Sequence, residues 1–240
     1  MKRRLACLSC LLVCPAFGDV VFDEAVEGDF SGSPSAPTDL GPIVDPVLIL
    51  QGSVQSGSGG DVRDYVTFEV PEGSTLDAAR LLRYVDGTTG RSGNTGYCFL
   101  DSGSTSVIPS ANTSGSFLGG SHLSRARFAD ATVNMLDRLS SGVQGGTGFS
   151  LPLGPGAYTF EVQQTGSQRN VYEIRFEFTL AAEECVGDFD GDGRVDGGDL
   201  GSFLGVWGTN PFTFDLDGDG ACNGADLGIL LGAWGGCSGG

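Results

Sequence analysis

Histidine and lysine are almost missing from this chain of 240 residues, each occurring once, as His122 and Lys2. A single histidine leaves little for zinc or haem ligation, or for imidazole acid–base chemistry. Thirteen basic residues stand against thirty acidic ones, a net charge of −17. Without clustered cations the chain has nothing to embrace a phosphate backbone, which excludes nucleic acid as a partner. Long apolar runs are also lacking: no segment approaches the roughly 18 residues that a spanning helix requires. These absences make most soluble enzyme classes improbable and favour a non-catalytic protein. What is abundant is glycine, 41 residues, beside a hydrophobic content of 40% that suffices for a core.

The first eighteen residues read as an export signal. Lys2, Arg3 and Arg4 precede an apolar stretch over residues 5–13, and Ala16-Phe17-Gly18 places small residues for cleavage before Asp19. Cys14 as a lipid anchor fits less well, because bulky Val13 precedes it. After cleavage thirty acidic residues would face ten arginines and no lysine, a surface that repels anionic membranes and concentrates divalent cations. The expected location is secreted, extracellular or at the cell surface, with no membrane insertion once the signal is gone. Cys98, Cys185, Cys222 and Cys237 would remain in an oxidising compartment, where three pairings are open to them.

A repeat of 27 residues is the strongest internal signal. Residues 188–208 read DFDGDGRVDGGDLGSFLGVWG and residues 215–235 read DLDGDGACNGADLGILLGAWG, with thirteen of 21 positions identical. Each begins with the pattern D-x-D-x-D-G-x-x-[DN]-x-x-D. Calcium takes six to eight oxygens in a flexible shell, and alternate aspartates on a coiling backbone converge to supply them. The candidate ligands of the first loop are Asp188, Asp190, Asp192, the Arg194 carbonyl, Asp196 and Asp199. Those of the second are Asp215, Asp217, Asp219, the Ala221 carbonyl, Asn223 and Asp226. Gly193 and Gly220 at the sixth position permit the sharp turn, and two calcium ions are expected. After each loop, Leu200, Phe203, Leu204 and Trp207, or Leu227, Leu230, Leu231 and Trp234, form one apolar helical face.

No helical pattern enters either loop. Two loop–helix repeats at the end of an exported chain resemble a type I dockerin over residues 185–237. The resemblance implies calcium-dependent docking to a cohesin-like or cell-surface protein, in the setting of polysaccharide-degrading assemblies. The pattern departs from the family at loop positions 10 and 11, where Gly197, Gly198, Gly224 and Ala225 replace the Ser–Thr-like pair that reads the cohesin. Cys185 and Cys237 bracket the repeats, and the pseudo-twofold arrangement implied by the family brings the two ends together for a disulfide. Cys222 reads as a small core residue or as a partner for Cys98.

Residues 19–180 show period two. Val66, Phe68 and Val70 alternate with Tyr65, Thr67 and Glu69; Tyr158, Phe160 and Val162 with Thr159 and Glu161; Tyr172, Ile174, Phe176 and Phe178 with Glu173, Arg175 and Glu177. Each predicts a strand with one buried and one wet face. The expected class is mainly β: an antiparallel β-sandwich over 19–180, a connector at 181–187, and a small α-helical calcium-loop module over 188–237. The segments DYVTFEVPEGSTL, LPLGPGAYTFEVQQTG and FDEAVEGD resemble the bacterial pre-peptidase C-terminal type of sandwich, which implies adhesion or substrate contact. Residues 86–148 are expected to hold variable loops.

Asp23, Glu24 and Asp29 read either as a solvated acidic segment or as an extra calcium site. Tyr84, Tyr97 and Tyr158 read as packed side chains or as sugar-stacking rings, and His122 as a surface or loop histidine. Two alternatives to docking stay open: a carbohydrate-binding sandwich with a purely structural tail, and an unrecognised glycoside hydrolase carrying a dockerin.

Overall fold

The computed structural model describes residues 20–55, 61–87, 96–106, 117–142, 145–166, 168–181, 185–209 and 212–237. The export signal expected at 1–18 and the glycine run at 57–60 lie outside them. The chain is mainly β and divides into two compact units, residues 1–181 and 182–240. The second unit thus takes in residues 182–187, which the sequence reading gives to a connector. Among the described residues no helix is long and apolar enough to cross a membrane.

Two sheets build the first unit. One has the order β1 (Val20–Asp23), β3 (Val47–Gln55), β9 (Arg169–Thr179), β5 (Thr75–Asp86). The other has the order β2 (Thr38–Pro42), β4 (Arg63–Val70), β8 (Gly156–Gln164), β6 (Gly96–Ser102), β7 (Gly119–His122). Pairing is antiparallel except at two edges, where β1 runs parallel to β3 and β2 to β4. The chain alternates between sheets over its first four strands, so each return enters its sheet in the direction it left. Alternation in the sequence carries no sign of this.

The two sheets share one core. Phe68 of β4 and Phe160 of β8 meet Phe176 of β9 at ring-centroid distances of 5.4 and 5.1 Å, and Phe178 lies 5.8 Å from Phe68. Leu48, Leu50, Leu76, Leu81, Leu100 and Ile174 fill the space around them. The short helix α1 (Glu24–Glu27) follows β1, and α2 (Met135–Leu139) buries Met135, Leu136 and Leu139. Asn134 pins α2 to β5: its Oδ1 accepts from the Leu136 and Ala79 backbone N–H groups, and its amide donates to the Asp77 carbonyl. Residues 86–148, expected to be loops, therefore contribute β6, β7 and α2 as well.

β9 alternates as expected, with Tyr172, Ile174, Phe176 and Phe178 buried and Glu173, Arg175 and Glu177 partly exposed. β4 and β8 do not. Tyr65, Thr67, Thr159 and Glu161, expected to be wet, are all buried. The second face of the five-stranded sheet is itself covered: Phe117 stands edge-on to Phe99 of β6 at 5.6 Å, and Thr159 Oγ1 donates to the Gly103 carbonyl at 2.8 Å. Glu161 lies across the ladder from both Tyr65 and Phe99. Burial raises its carboxyl to about 8, against the pull of Arg63 3.4 Å away.

Phe176 touches both opposing phenylalanines, so Phe176→Ala should destabilise the first unit by about 3–5 kcal/mol. All five tyrosines belong to this unit and both tryptophans to the other. Tyrosine near-ultraviolet dichroism during urea unfolding therefore isolates the effect, and tryptophan emission should be unchanged.

Candidate metal centres

Each acidic loop of the second unit coils back on itself through its own carboxylates. Asp188 Oδ1 accepts from the backbone N–H groups of Gly191 and Asp192, and its Oδ2 from that of Gly193. Asp215 Oδ2 accepts from Gly220 in the same way. Gly193 and Gly220 adopt φ of 85° and 91°, as the sixth position demands, and the fourth-position Gly191 and Gly218 adopt 75° and 76°. The need for a second glycine of that kind was not read from the sequence, although both repeats contain it.

The twelfth position is the anchor. Asp199 is fully buried; its Oδ1 accepts from Phe189 and Asp190 and its Oδ2 from Asp196. Asp226 repeats this with Leu216, Asp217 and Asn223. Asp196 and Asn223 in turn cap helices α3 (Gly197–Gly205) and α4 (Gly224–Gly232), closing a reciprocal capping box at each N-terminus. One carboxylate thus ties the loop's first turn to the helix that follows it. Burial works to raise the Asp199 carboxyl, but the hydrogen bonds from Asp196, Phe189 and Asp190 outweigh it and hold it below its usual range. For Asp226 the bond from Asn223 leads the same lowering.

Oxygens of the first, third and twelfth residues converge. In each of the trios Asp188, Asp190, Asp199 and Asp215, Asp217, Asp226, one oxygen per residue lies within 4.8 Å of the others. Asp215 Oδ1 is buried with no hydrogen-bond partner. Desolvation raises the Asp190 carboxyl, as do the charges of Asp192, Asp199 and Asp188, while the Asp192 N–H pulls it down. An all-oxygen donor set with an orphaned carboxylate oxygen fits a hard divalent cation such as calcium. Of the remaining expected ligands, Asp192, Asp196 and Asp219 fall outside these trios. Asp192 Oδ1 accepts from Arg194 N–H, and the Asn223 amide donates to Asp219 and to the Ala221 carbonyl, placing positions 5, 7 and 9 side by side.

The two loops interlock through the chain beyond the opposite helix. The strand β10 (Arg194–Val195) pairs with β11 (Gly235–Gly236), after α4. At the equivalent place Cys222 exchanges backbone hydrogen bonds with Gly208 and Thr209, after α3. The unit is therefore a pseudo-twofold pair, and Cys185 and Cys237, expected to meet, form a disulfide with Cα atoms 5.4 Å apart. Cys222 and Cys98 are free and buried, so no bridge joins them.

The apolar helix faces divide, contrary to the single buried stripe expected. Phe203 and Leu230 are buried, with Leu200, Leu227, Val206 and Ala233 partly so. Leu204, Trp207, Leu231 and Trp234 remain about half exposed, at 53, 46, 50 and 48%. The helices end at Gly205 and Gly232, so Trp207 and Trp234 lie beyond them and the expected helical face does not extend that far. The exposed pairs are equivalent under the 27-residue repeat.

Other candidates fall differently. Tyr84 and Tyr158 are buried, the first accepting from the Asn170 amide and the second donating to the Gly154 carbonyl. Tyr97 lies against Phe99 and His122, which belongs to strand β7 rather than to a loop. Asp23 caps α1 through Ala25 N–H. No protein-family model matches the chain, and no curated protein matches it either.

Two outcomes follow. Lowered folded pKa values mean that Asp199 and Asp226 contribute stability present above their unfolded value of about 3.9 and lost as pH falls through the folded values. In calcium-free acid titration, tryptophan emission should show the second unit loosening below about pH 4, and Asp199→Asn should weaken it at neutral pH while flattening that acid loss. Reducing the disulfide, which spans 52 residues, should cost about 4 kcal/mol, seen as a lower melting temperature by tryptophan emission alone.

Proposed function

We propose that the protein is exported and non-catalytic, a β-sandwich joined to a dockerin-type module. Each of its two loops takes one calcium ion, and the ordered module docks onto a cohesin-type module of a scaffold or cell-surface protein. The observation that carries this reading is the doubled site. Two convergent carboxylate trios are repeated at an offset of 27 residues, each followed by a helix that leaves a leucine half exposed and by a half-exposed tryptophan two residues beyond the helix end. Exposed paired apolar residues on a small, strongly acidic unit mark a contact surface, and tryptophan is the side chain most enriched at interface hot spots.

Gly197, Gly198, Gly224 and Ala225 offer no side-chain hydrogen bonds to a partner. Recognition then falls to the apolar pairs, Leu204 with Trp207 and Leu231 with Trp234. The disulfide and the acidic composition support an oxidising, extracellular setting. Two sheets facing across one phenylalanine-rich core support the sandwich. Sugar stacking by the first unit has weaker support, because Tyr84 and Tyr158 are enclosed with their hydroxyls engaged.

The test uses the full chain against a panel of purified cohesin modules. Binding is expected with calcium and not with EDTA, and Asp190→Ala with Asp217→Ala should abolish it. Removing one pair (Leu204→Ser, Trp207→Ser) should leave docking through the other. Removing both should weaken binding by about 2 kcal/mol or more, roughly thirtyfold. Binding indifferent to EDTA, full binding by the four-residue variant, or no binding to any module would overturn the proposal.

A further inference from the structure

A third group of carboxylates lies in the first unit, far in sequence from the repeated loops. Glu24 opens α1, Asp29 follows it, Asp61 precedes β4, and Asp64 is the second residue of β4. One oxygen from each lies within 4.8 Å of the other three. The ion pairs among the described residues, Arg63–Glu161, Arg80–Glu177 and Arg175–Glu177, involve none of the four.

Asp64 distinguishes this group from an ordinary acidic surface. It is 1% exposed and shares the core-facing side of β4 with Val66, Phe68 and Val70. Its Oδ2 accepts from the Tyr172 hydroxyl at 2.7 Å, while its Oδ1 is buried with no hydrogen-bond partner. Asp61 Oδ2 is likewise buried and unpartnered. A buried carboxylate oxygen without a donor is costly, and two of them in one acidic cluster call for a cation or for a proton shared between Asp61 and Asp64.

The surroundings are built to hold these groups in place. Glu24 Oε2 accepts from the Ser53 backbone N–H at 2.8 Å and its Oε1 from that of Phe30 at 3.5 Å. Gly52 makes the approach possible: a Cβ there would collide with the Tyr172 hydroxyl and come within 3.0 Å of Glu24 Oε1. A cleft of about 400 Å³, lined by Asp23, Glu24, Asp29, Ser53 and Tyr172 among others, opens beside the cluster, leaving room for water on the cation. Four carboxylates without histidine or a free thiol among them make a hard-oxygen donor set.

We propose that Glu24, Asp29, Asp61 and Asp64 form a calcium site in the first unit, separate from the two C-terminal loops, that clasps the N-terminal segment onto β4. Tyr172 and Ser53 act as positioning residues that aim Asp64 and Glu24. The site joins the sheets as well, since Asp64 stands on β4 while Tyr172 and Ser53 belong to β9 and β3 of the other sheet. A cation would there replace the repulsion among four acids by a bond between segments nearly forty residues apart.

The experiment uses the full chain carrying Asp190→Ala and Asp217→Ala, which disable the C-terminal loops, and titrates it with calcium alone by calorimetry. One ion per chain is expected, together with a calcium-dependent rise in the melting temperature read by tyrosine dichroism. Adding Asp61→Asn or Asp29→Asn should remove both effects, and Tyr172→Phe should weaken binding by roughly 10–100-fold. Asp29 is exposed, so its variant keeps the fold even if a buried substitution does not. No calcium heat in the loop-disabled chain would overturn the site and assign the cluster to a shared proton. Heat unchanged by Asp29→Asn and Asp61→Asn would overturn the residue assignment. Neither outcome touches the docking reading, which rests on the loops disabled here.

Discussion

Negative charge crowded against negative charge is the constraint on which this molecule turns. Two carboxylates about 4 Å apart repel by roughly 1 kcal/mol in water and by about 4 kcal/mol at an effective dielectric of 20. Each C-terminal loop nonetheless brings three aspartates together, and the chain then manages them in two ways. The twelfth-position carboxylate turns toward backbone N–H groups and a helix N-terminus, which compensate it fully enough to lower its pKa. Asp190 and Asp215 have fewer such donors, as the raised Asp190 pKa and the orphaned Asp215 oxygen show, whereas Asp188 accepts from three backbone N–H groups. The twelfth-position acid of each loop is therefore satisfied by the protein itself, while Asp190 and Asp215 are left short of donors.

That division explains how so small a unit holds together. Among the described residues its buried apolar side chains are Val195, Phe203, Cys222 and Leu230, far fewer than a core of independent strength needs. The shortfall is met by connection: a disulfide at the ends, a two-residue ribbon between β10 and β11, its counterpart at Cys222, and a capping box at each helix start. None of these depends on burying more surface. Leu204 of α3, Leu231 of α4 and the tryptophans just beyond each helix can therefore stay half exposed without unravelling the unit.

Legibility in the sequence followed the strength of local constraint. The coiled acidic loops were readable because a tight turn of convergent carboxylates prescribes aspartate and glycine at fixed spacing, and the terminal cysteines because a twofold pair returns its ends to one place. β9 was readable because one of its faces meets the core and the other meets water. β4 and β8 misled because an outer face covered by Phe99, Phe117 and the 103–106 segment looks, residue by residue, like a wet one. Tyr65, Thr67 and Thr159 are acceptable in either setting. The helix faces misled for a related reason: period 3.6 marks which residues share a side and says nothing of how wide a neighbour will cover it. Parallel edge pairing was beyond reach, since it is set by how the chain passes between sheets.

The acidic N-terminal segment shows the difference between a pattern that is absent and one that is present but divided. Glu24 and Asp29 alone look solvated, and nothing nearby in the chain completes a cage. The missing half lies in β4, where Asp64 is in phase with Val66, Phe68 and Val70. A strand that alternates toward a core with an aspartate on its inward side already declares an unmet charge, because burial of a carboxylate requires a partner. The rest of the first unit supplies a tyrosine hydroxyl for one oxygen and leaves the other bare. The crowding of carboxylates found in the C-terminal loops thus recurs in the sheet, gathered there by tertiary structure instead of by spacing.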